Sequence, residues 1–151
     1  MDMTGEERIA APRDAVWAAL NDPAVLKGCI PGCTRLEWTS PTTLDAVVTV
    51  KFGFMSMAFS GVITLSNMNP PESYTISGEG KGGLAGYAKG GADVRLVEDG
   101  EETILHYAIV ADVSGKIASL GSKLVQSGAN RIASRFFSDF TAAANAKAAA
   151  A

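Results

Sequence analysis

Between Thr34 and Val113, apolar residues fall on every second position. Leu44, Ala46, Val48, Val50 and Phe52 alternate with Asp45, Thr49 and Lys51. Phe59, Gly61, Ile63 and Leu65 alternate with Ser60 and Thr64, and Tyr74, Ile76, Gly78 and Gly80 with Thr75, Ser77, Glu79 and Lys81. Ala92, Val94 and Leu96 are set against Asp93 and Arg95, and Leu105, Tyr107, Ile109, Ala111 and Val113 close the series. A two-residue period is that of strands with one buried face. Turn signals separate them at Gly53, Asn67 to Pro71, Gly82-Gly83 and Asp99-Gly100, the last a hairpin signature. With Thr34–Thr39 and a weakly patterned first strand over residues 2–10, the pattern predicts about seven antiparallel strands joined by short turns.

The period then changes. From Ser114 to Ala146, Ile117, Leu120, Leu124, Ile132, Phe136 and Phe140 recur at three- and four-residue steps, with Lys123, Arg131 and Arg135 off the stripe. This spacing predicts one long helix, with Ser114 as its N-cap. It is the only element long enough to cover the apolar face of the sheet. Earlier, Pro12 suits the first turn of a helix over Arg13 to Leu20, with Val16, Trp17 and Leu20 on one side. Asn21-Asp22-Pro23 ends it, Ala24 to Lys27 makes one further helical turn, and Gly28 to Cys33 is a loop. The order is α+β: a curved sheet wrapping a long C-terminal helix, with two short helices after the first strand. Residues 1–146 form one ligand-binding domain and 147–151 an alanine-rich tail, read as helix extension or linker.

A chain of 151 residues is sufficient for one sizeable core. Its net charge of −3 argues against a nucleic-acid binder, which needs a basic face. No signal peptide is visible, and no segment approaches the roughly 18 apolar residues of a membrane span, so a cytoplasmic protein is expected. Cys29 and Cys33 match neither the redox C-x-x-C spacing nor a zinc half-site, and with a single histidine a closed zinc site is hard to assemble. Both are read as free, partly buried thiols.

No catalytic constellation is apparent. His106 falls on the outward phase of its strand without a positioned partner, and the inward phases carry no carboxylate pair. Gly82 to Gly86 lacks the phosphate-loop lysine and opens no helix. The inward phase is more informative. Gly61, Gly78 and Gly80 on the sheet face Gly121 and Gly128 on the helix stripe. One reading is close helix-on-sheet packing and strand bends. The other is a cavity walled by Val50, Phe59, Ile63, Tyr74, Tyr107, Leu124 and Ile132, with the two tyrosines offering hydroxyl groups to an apolar guest. The loops at 28–33, 53–57, 82–86 and 113–116 share one rim, where the helix begins. Ile30, Phe54, Met55, Met57 and Leu84 there are candidates for a portal or for contact with a membrane or partner, or else pack against neighbouring loops.

Ala11-Pro12-Arg13-Asp14-Ala15-Val16-Trp17, Asn21-Asp22-Pro23, Cys29-Ile30-Pro31-Gly32-Cys33, Gly78-Glu79-Gly80-Lys81-Gly82-Gly83, Ala88-Lys89-Gly90 and Leu120-Gly121-Ser122-Lys123-Leu124 resemble the CoxG family of carbon monoxide dehydrogenase accessory proteins. The resemblance covers nearly the whole chain. It implies the helix-grip (START-like, Bet v 1-like) fold with a cavity between sheet and C-terminal helix. It also implies a non-enzymatic role beside a molybdenum-containing CO dehydrogenase or related hydroxylase: membrane recruitment of the enzyme, and handling of a quinone such as menaquinone or ubiquinone. The alternatives are a recruitment module that docks through its rim loops and stores no ligand, and an enzyme of the cyclase or hydrolase branch of the same superfamily.

Overall fold

The computed structural model describes residues 2–52 and 55–150. The elements run β1 (Asp2–Ile9), α1 (Arg13–Leu20), α2 (Pro23–Cys29), β2 (Cys33–Ser40), β3 (Thr43–Phe52), β4 (Met55–Asn69), β5 (Ser73–Lys81), β6 (Tyr87–Asp99), β7 (Glu102–Ser114) and α3 (Ser122–Ala150). Single 3-10 turns lie at Gly83–Ala85 and Ala118–Leu120. The strands form one seven-stranded sheet in the order β1-β7-β6-β5-β4-β3-β2, and every pairing is antiparallel. Six strands follow one another as a meander. The first strand instead joins the last, and α1 and α2 carry the chain from one sheet edge to the other.

Local chemistry sets the corner that makes this possible. Pro12 is extended before α1. Asp22 accepts a hydrogen bond from the Ala24 N–H at 3.0 Å and caps α2, whose first residue is Pro23. The buried Thr103 hydroxyl donates to the Ala11 carbonyl at 2.8 Å, which pins the turn after β1 to β7.

The strand phases are those the alternation predicts. Leu44, Ala46, Phe59, Leu65, Tyr74, Val94, Leu96 and Leu105 are buried on the concave face. Two helix boundaries differ from expectation. α2 runs on to Cys29. α3 begins eight residues later than expected: Ser114 ends β7, and Ile117 and Leu120 belong to the connection. The break is Gly121, held at φ +94°, a conformation that side-chain-bearing residues rarely adopt. At its other end α3 continues through the alanines, with Ala144 buried and Lys147 Nζ 2.8 Å from Asp22 Oδ2. The segment read as helix extension or linker is therefore helix as far as Ala150.

Among the described residues, three apolar clusters result. The largest joins Ile9, Val16, Leu20, Leu96, Leu105, Phe137 and Phe140 where β1 meets α1. A small one groups Met57, Phe59 and Ile117 at the opposite end, and another groups Leu36, Leu44 and Ala46 beneath α2.

Candidate functional site

Between these clusters the sheet and α3 stand apart, and a cavity of about 390 Å³ remains. Its floor comes from alternate residues of the central strands, among them Ile63, Leu65, Tyr74, Ile76, Tyr107 and Ile109. Its roof is the α3 stripe Ala129, Ile132, Ala133, Phe136 and Phe137. Leu20, Asn21, Leu26 and Ile30 close one side, and Met3 and Trp38 also contribute to the wall. The volume lies within the roughly 300–1,000 Å³ typical of small-molecule sites.

The polar groups of this wall are few. The Asn21 amide nitrogen already donates to the Trp17 carbonyl at 3.0 Å. Tyr74 is 3% exposed and sits edge-on to Trp17 with ring centroids 5.1 Å apart. Tyr107 stacks on Phe137 at 4.2 Å. Burial raises the pKa of both phenols above the ordinary value, with Glu7 adding to the effect at Tyr107. Both are therefore neutral near pH 7 and able to donate one hydrogen bond each.

A shallower apolar groove of about 420 Å³ continues from the cavity and shares Ile63, Ile76, Ala92 and Ile109 with it. Register explains its shape. Ala46, Gly61, Gly80, Ala88 and Val113 lie in one cross-strand row, and Leu44, Ile63, Gly78, Gly90 and Ala111 in the next. Two adjacent rows of mostly glycine and alanine leave the sheet surface low between the cavity and the cluster at Phe59.

Of the residues expected to form the cavity wall, Ile63, Tyr74, Tyr107 and Ile132 meet there. Gly61, Gly78, Gly80 and Phe59 line the groove instead. Val50 packs against the cluster of Met57, Phe59 and Ile117, away from the cavity. Gly121 precedes α3, and a side chain there would meet open space. Leu124 is 41% exposed, because the later helix start turns Val125 inward in its place. Gly128 is buried and adjoins Ala129 of the roof.

Among the rim candidates, Ile30 faces the cavity and Leu84 stands 93% exposed. Met57 is buried at 5% against Phe59 and Ile117, so it is core and not portal. Met55 opens β4, and Phe54 lies outside the described residues. Sequence reasoning missed the contributions of α1 and α2 and the pair Phe136–Phe137, whose rings meet edge-on at 5.1 Å. The signal available was the apolar series Leu20, Leu26 and Ile30, which no strand or long-helix period accounts for.

His106 lies on the convex face, with Nδ1 3.3 Å from Glu6. That face carries a polar depression of about 680 Å³ in which Thr75 also donates to Asp93 at 2.8 Å. Both cysteines are free thiols, Cys29 buried and Cys33 half-buried, and burial pushes both thiols up. No group of three or more His, Cys, Asp or Glu residues placed to hold a metal ion occurs among the described residues.

A curved antiparallel sheet that grips a C-terminal helix around an apolar cavity defines the helix-grip, START-like class of hydrophobic ligand-binding domain. The model of the carbon monoxide dehydrogenase CoxG family matches residues 5–145, and the chain belongs to that family. A conserved protein from Geobacillus kaustophilus is 26% identical, with a TM-score of 0.88 over 95% of each chain. TTHA0849 from Thermus thermophilus is 15% identical with a TM-score of 0.72, over 97% of this chain and 98% of its own. The ZhuI aromatase/cyclase from Streptomyces sp. R1128 is 15% identical with a TM-score of 0.65, over 95% of this chain and 93% of its own. At such identities the last two share the fold alone. No curated protein matches the sequence.

Proposed function

We propose that this protein binds a respiratory quinone, menaquinone or ubiquinone, without chemically transforming it, as the accessory partner of a CO dehydrogenase or related molybdenum hydroxylase. The observation that carries the ligand class is the wall of the cavity. It is apolar throughout except for two neutral phenols, an amide and an indole, and it continues into an apolar groove. A quinone has a flat apolar ring, carbonyl acceptors that a phenol can serve, and a hydrocarbon tail suited to a long shallow channel. Membership of the CoxG family supports the choice of enzyme partner.

The fold also carries aromatase/cyclases, so a catalytic reading has to be weighed. Proton abstraction or hydrolysis needs an acid or base within reach of the bound molecule. No Asp, Glu, His, Lys or Cys side chain lines this cavity among the described residues, and the chain's one histidine is on the other face of the sheet. That distribution favours binding over turnover.

Organic extraction of the purified protein followed by mass spectrometry tests the proposal, together with titration of the ligand-free protein with a short-chain quinone. A co-purifying quinone, or saturable binding that weakens in Tyr107→Phe, is the expected result. The Phe variant loses one hydrogen bond, about 0.5–1.5 kcal/mol or roughly two- to tenfold in affinity. Absence of both a bound quinone and binding of added quinone overturns it.

A further inference from the structure

β1 and β2 are the two edge strands of the sheet, and their free sides are defended differently. β1 carries Gly5, which weakens a strand, and Glu7, a carboxylate on the inward phase of Met3 and Ile9. An inward charge keeps a foreign strand from pairing at an edge. β2 has no proline, glycine or lysine and no inward charge. Leu36 is buried beneath α2, whereas Thr34, Arg35, Glu37, Trp38 and Thr39 are exposed. Among the described residues, the backbone of residues 34–40 finds no backbone partner outside β2 and β3. Such a row of peptide groups is a template for another strand. The bulges of β2 lie at Cys33/Arg35 and Trp38/Ser40 and leave residues 35–38 in regular pairing with β3.

Two features of this edge find no explanation within one chain. Glu37 lies directly opposite Asp45 across β2 and β3, and like charges so placed repel. Among the described residues Arg35 alone pairs with either, 3.2 Å from Glu37 and 3.7 Å from Asp45, so one arginine serves two carboxylates. The second feature is Trp38. It shares the inward phase of Leu36 and contributes to the cavity wall, yet it is 41% exposed at the margin of the sheet. An indole left in water forgoes the large apolar gain of its burial.

We propose that β2 pairs antiparallel with β2 of a second copy of this chain, about a two-fold axis through Leu36, joining the two sheets into one. In this register Arg35 of each copy lies opposite Glu37 of the other, and Trp38 lies opposite Thr34. The faces of the two sheets stay aligned only when the axis passes through a residue, because a slip of one exchanges inward for outward side chains. An axis through Arg35 sets arginine against arginine, and one through Glu37 sets glutamate against glutamate, both repulsive. The axis through Leu36 sets unlike charges opposite each other, twice by symmetry. Each arginine then stands between Asp45 of its own chain and Glu37 of the second copy, and Trp38 lies diagonal to Leu36 of the second copy. The contact is isologous and closes at two chains. An edge of eight residues makes a small interface, so monomer and dimer are expected to exchange in the micromolar range. The inference goes beyond the ligand proposal and does not depend on it, since association is measured on ligand-free protein.

The test is sedimentation velocity from low micromolar to several hundred micromolar protein. The wild type is expected to pass from monomer to dimer and to stop there. Arg35→Glu and Glu37→Arg each turn two attractive pairs into repulsive ones, which weakens self-association about tenfold. An equimolar mixture of the two variants restores the dimer, because each chain then meets opposite charges on the other. Both residues are exposed, and far-ultraviolet circular dichroism verifies the fold of each variant. Hydrogen exchange at low and high protein concentration locates the contact: amides of residues 34–38 slow on association while those of β1 do not. The proposal is overturned if the wild type stays monomeric throughout, or if it forms an open series of larger species, the mark of a head-to-tail contact. It is equally overturned if either variant associates as the wild type does, if the mixed variants remain monomeric, or if the protected amides are those of β1.

Discussion

A Cβ added at Gly61 would overlap the Glu79 carbonyl oxygen and lie 2.8 Å from the Gly80 Cα; one added at Gly78 would meet nothing nearer than Ile63 Cγ1 and the Val62 carbonyl oxygen at 3.9 Å. The two glycines share a phase in sequence and lie on adjacent strands, yet different forces select them. Backbone approach between β4 and β5 requires the first. The second leaves room on the groove floor. Gly61→Ala should therefore destabilise by about 1–3 kcal/mol, the range for forcing atoms into a packed site. Gly78→Val should leave stability unchanged or raise it by up to about 1 kcal/mol, because a β-branched residue replaces glycine in a strand interior. It should also weaken ligand binding by filling the groove. Urea denaturation and ligand titration of the two variants separate the cases: equal destabilisation of both would mean that the floor is packed and not open. Tyr107 shows the same principle in reverse. A Cβ at Gly5 would lie 2.7 Å from its Cζ, so glycine on β1 makes space for the phenol that faces the cavity.

At the level of elements, α3 joins the two ends of the molecule, and its last turns are tied down by charge as well as packing. The Lys147 ammonium holds the Asp22 carboxyl below its ordinary value; burial opposes this, and the Ala24 N–H adds to the lowering. A depressed folded-state pKa contributes stability that is present above the unfolded value and lost as pH falls through the folded one. Asp22→Asn keeps a good helix cap and removes the charge. It should cost at most about 1 kcal/mol at neutral pH, the range for exposed ion pairs, and the difference from wild type should vanish once the pH falls below the ordinary carboxylate range and through the lowered Asp22 value. Denaturation midpoints measured across that range check this, and a gap that persists in acid would assign the effect to capping alone. The helix also shows where sequence is a weak guide. Strand phases were legible throughout, because a residue's face follows from parity alone. The start of α3 was not. Ile117, Leu120 and Leu124 keep a three- and four-residue spacing across the break, and a 3-10 turn with its period of three imitates a helical stripe. The discriminating signal was the pair Gly115 and Gly121, at φ +81° and +94°, which brackets a connection and not a helix interior. The groove was legible as a deficit of side-chain volume at Gly61, Gly78 and Gly80. The cavity beside it was not, since its roof depends on the helix register and one side on α1 and α2.

The whole molecule is asymmetric along α3. Phe140, Ile9, Leu96, Leu105 and Val16 fill the end where β1 meets α1, each less than 2% exposed or close to it, whereas the end where α3 begins is floored by glycine and alanine and, among the described residues, holds a small cluster around Phe59. The buried core therefore lies mainly at one end and the proposed binding site at the middle and the other, as expected where a site needs vacant volume that a folded core would fill. A ligand that occupies the cavity and groove supplies the missing contacts, and it binds the folded chain alone. At a free concentration one hundred times its dissociation constant, such a ligand stabilises by about 2.7 kcal/mol. For a domain of this size that corresponds to a rise in Tm of roughly 5–11 °C, taking about 2–4 °C per kcal/mol. A short-chain quinone should produce this shift in the wild type, and a smaller one in Gly78→Val at the same concentration. Hydrogen exchange localises the effect: amides of β5 and β6 along the two glycine rows should slow on ligand addition, while those around Leu96 and Leu105 stay as they were. A uniform slowing of all amides, or a thermal shift undiminished by Gly78→Val, would place the ligand somewhere other than the groove. The comparison separates a ligand that completes the fold at its open end from one that merely adheres to it.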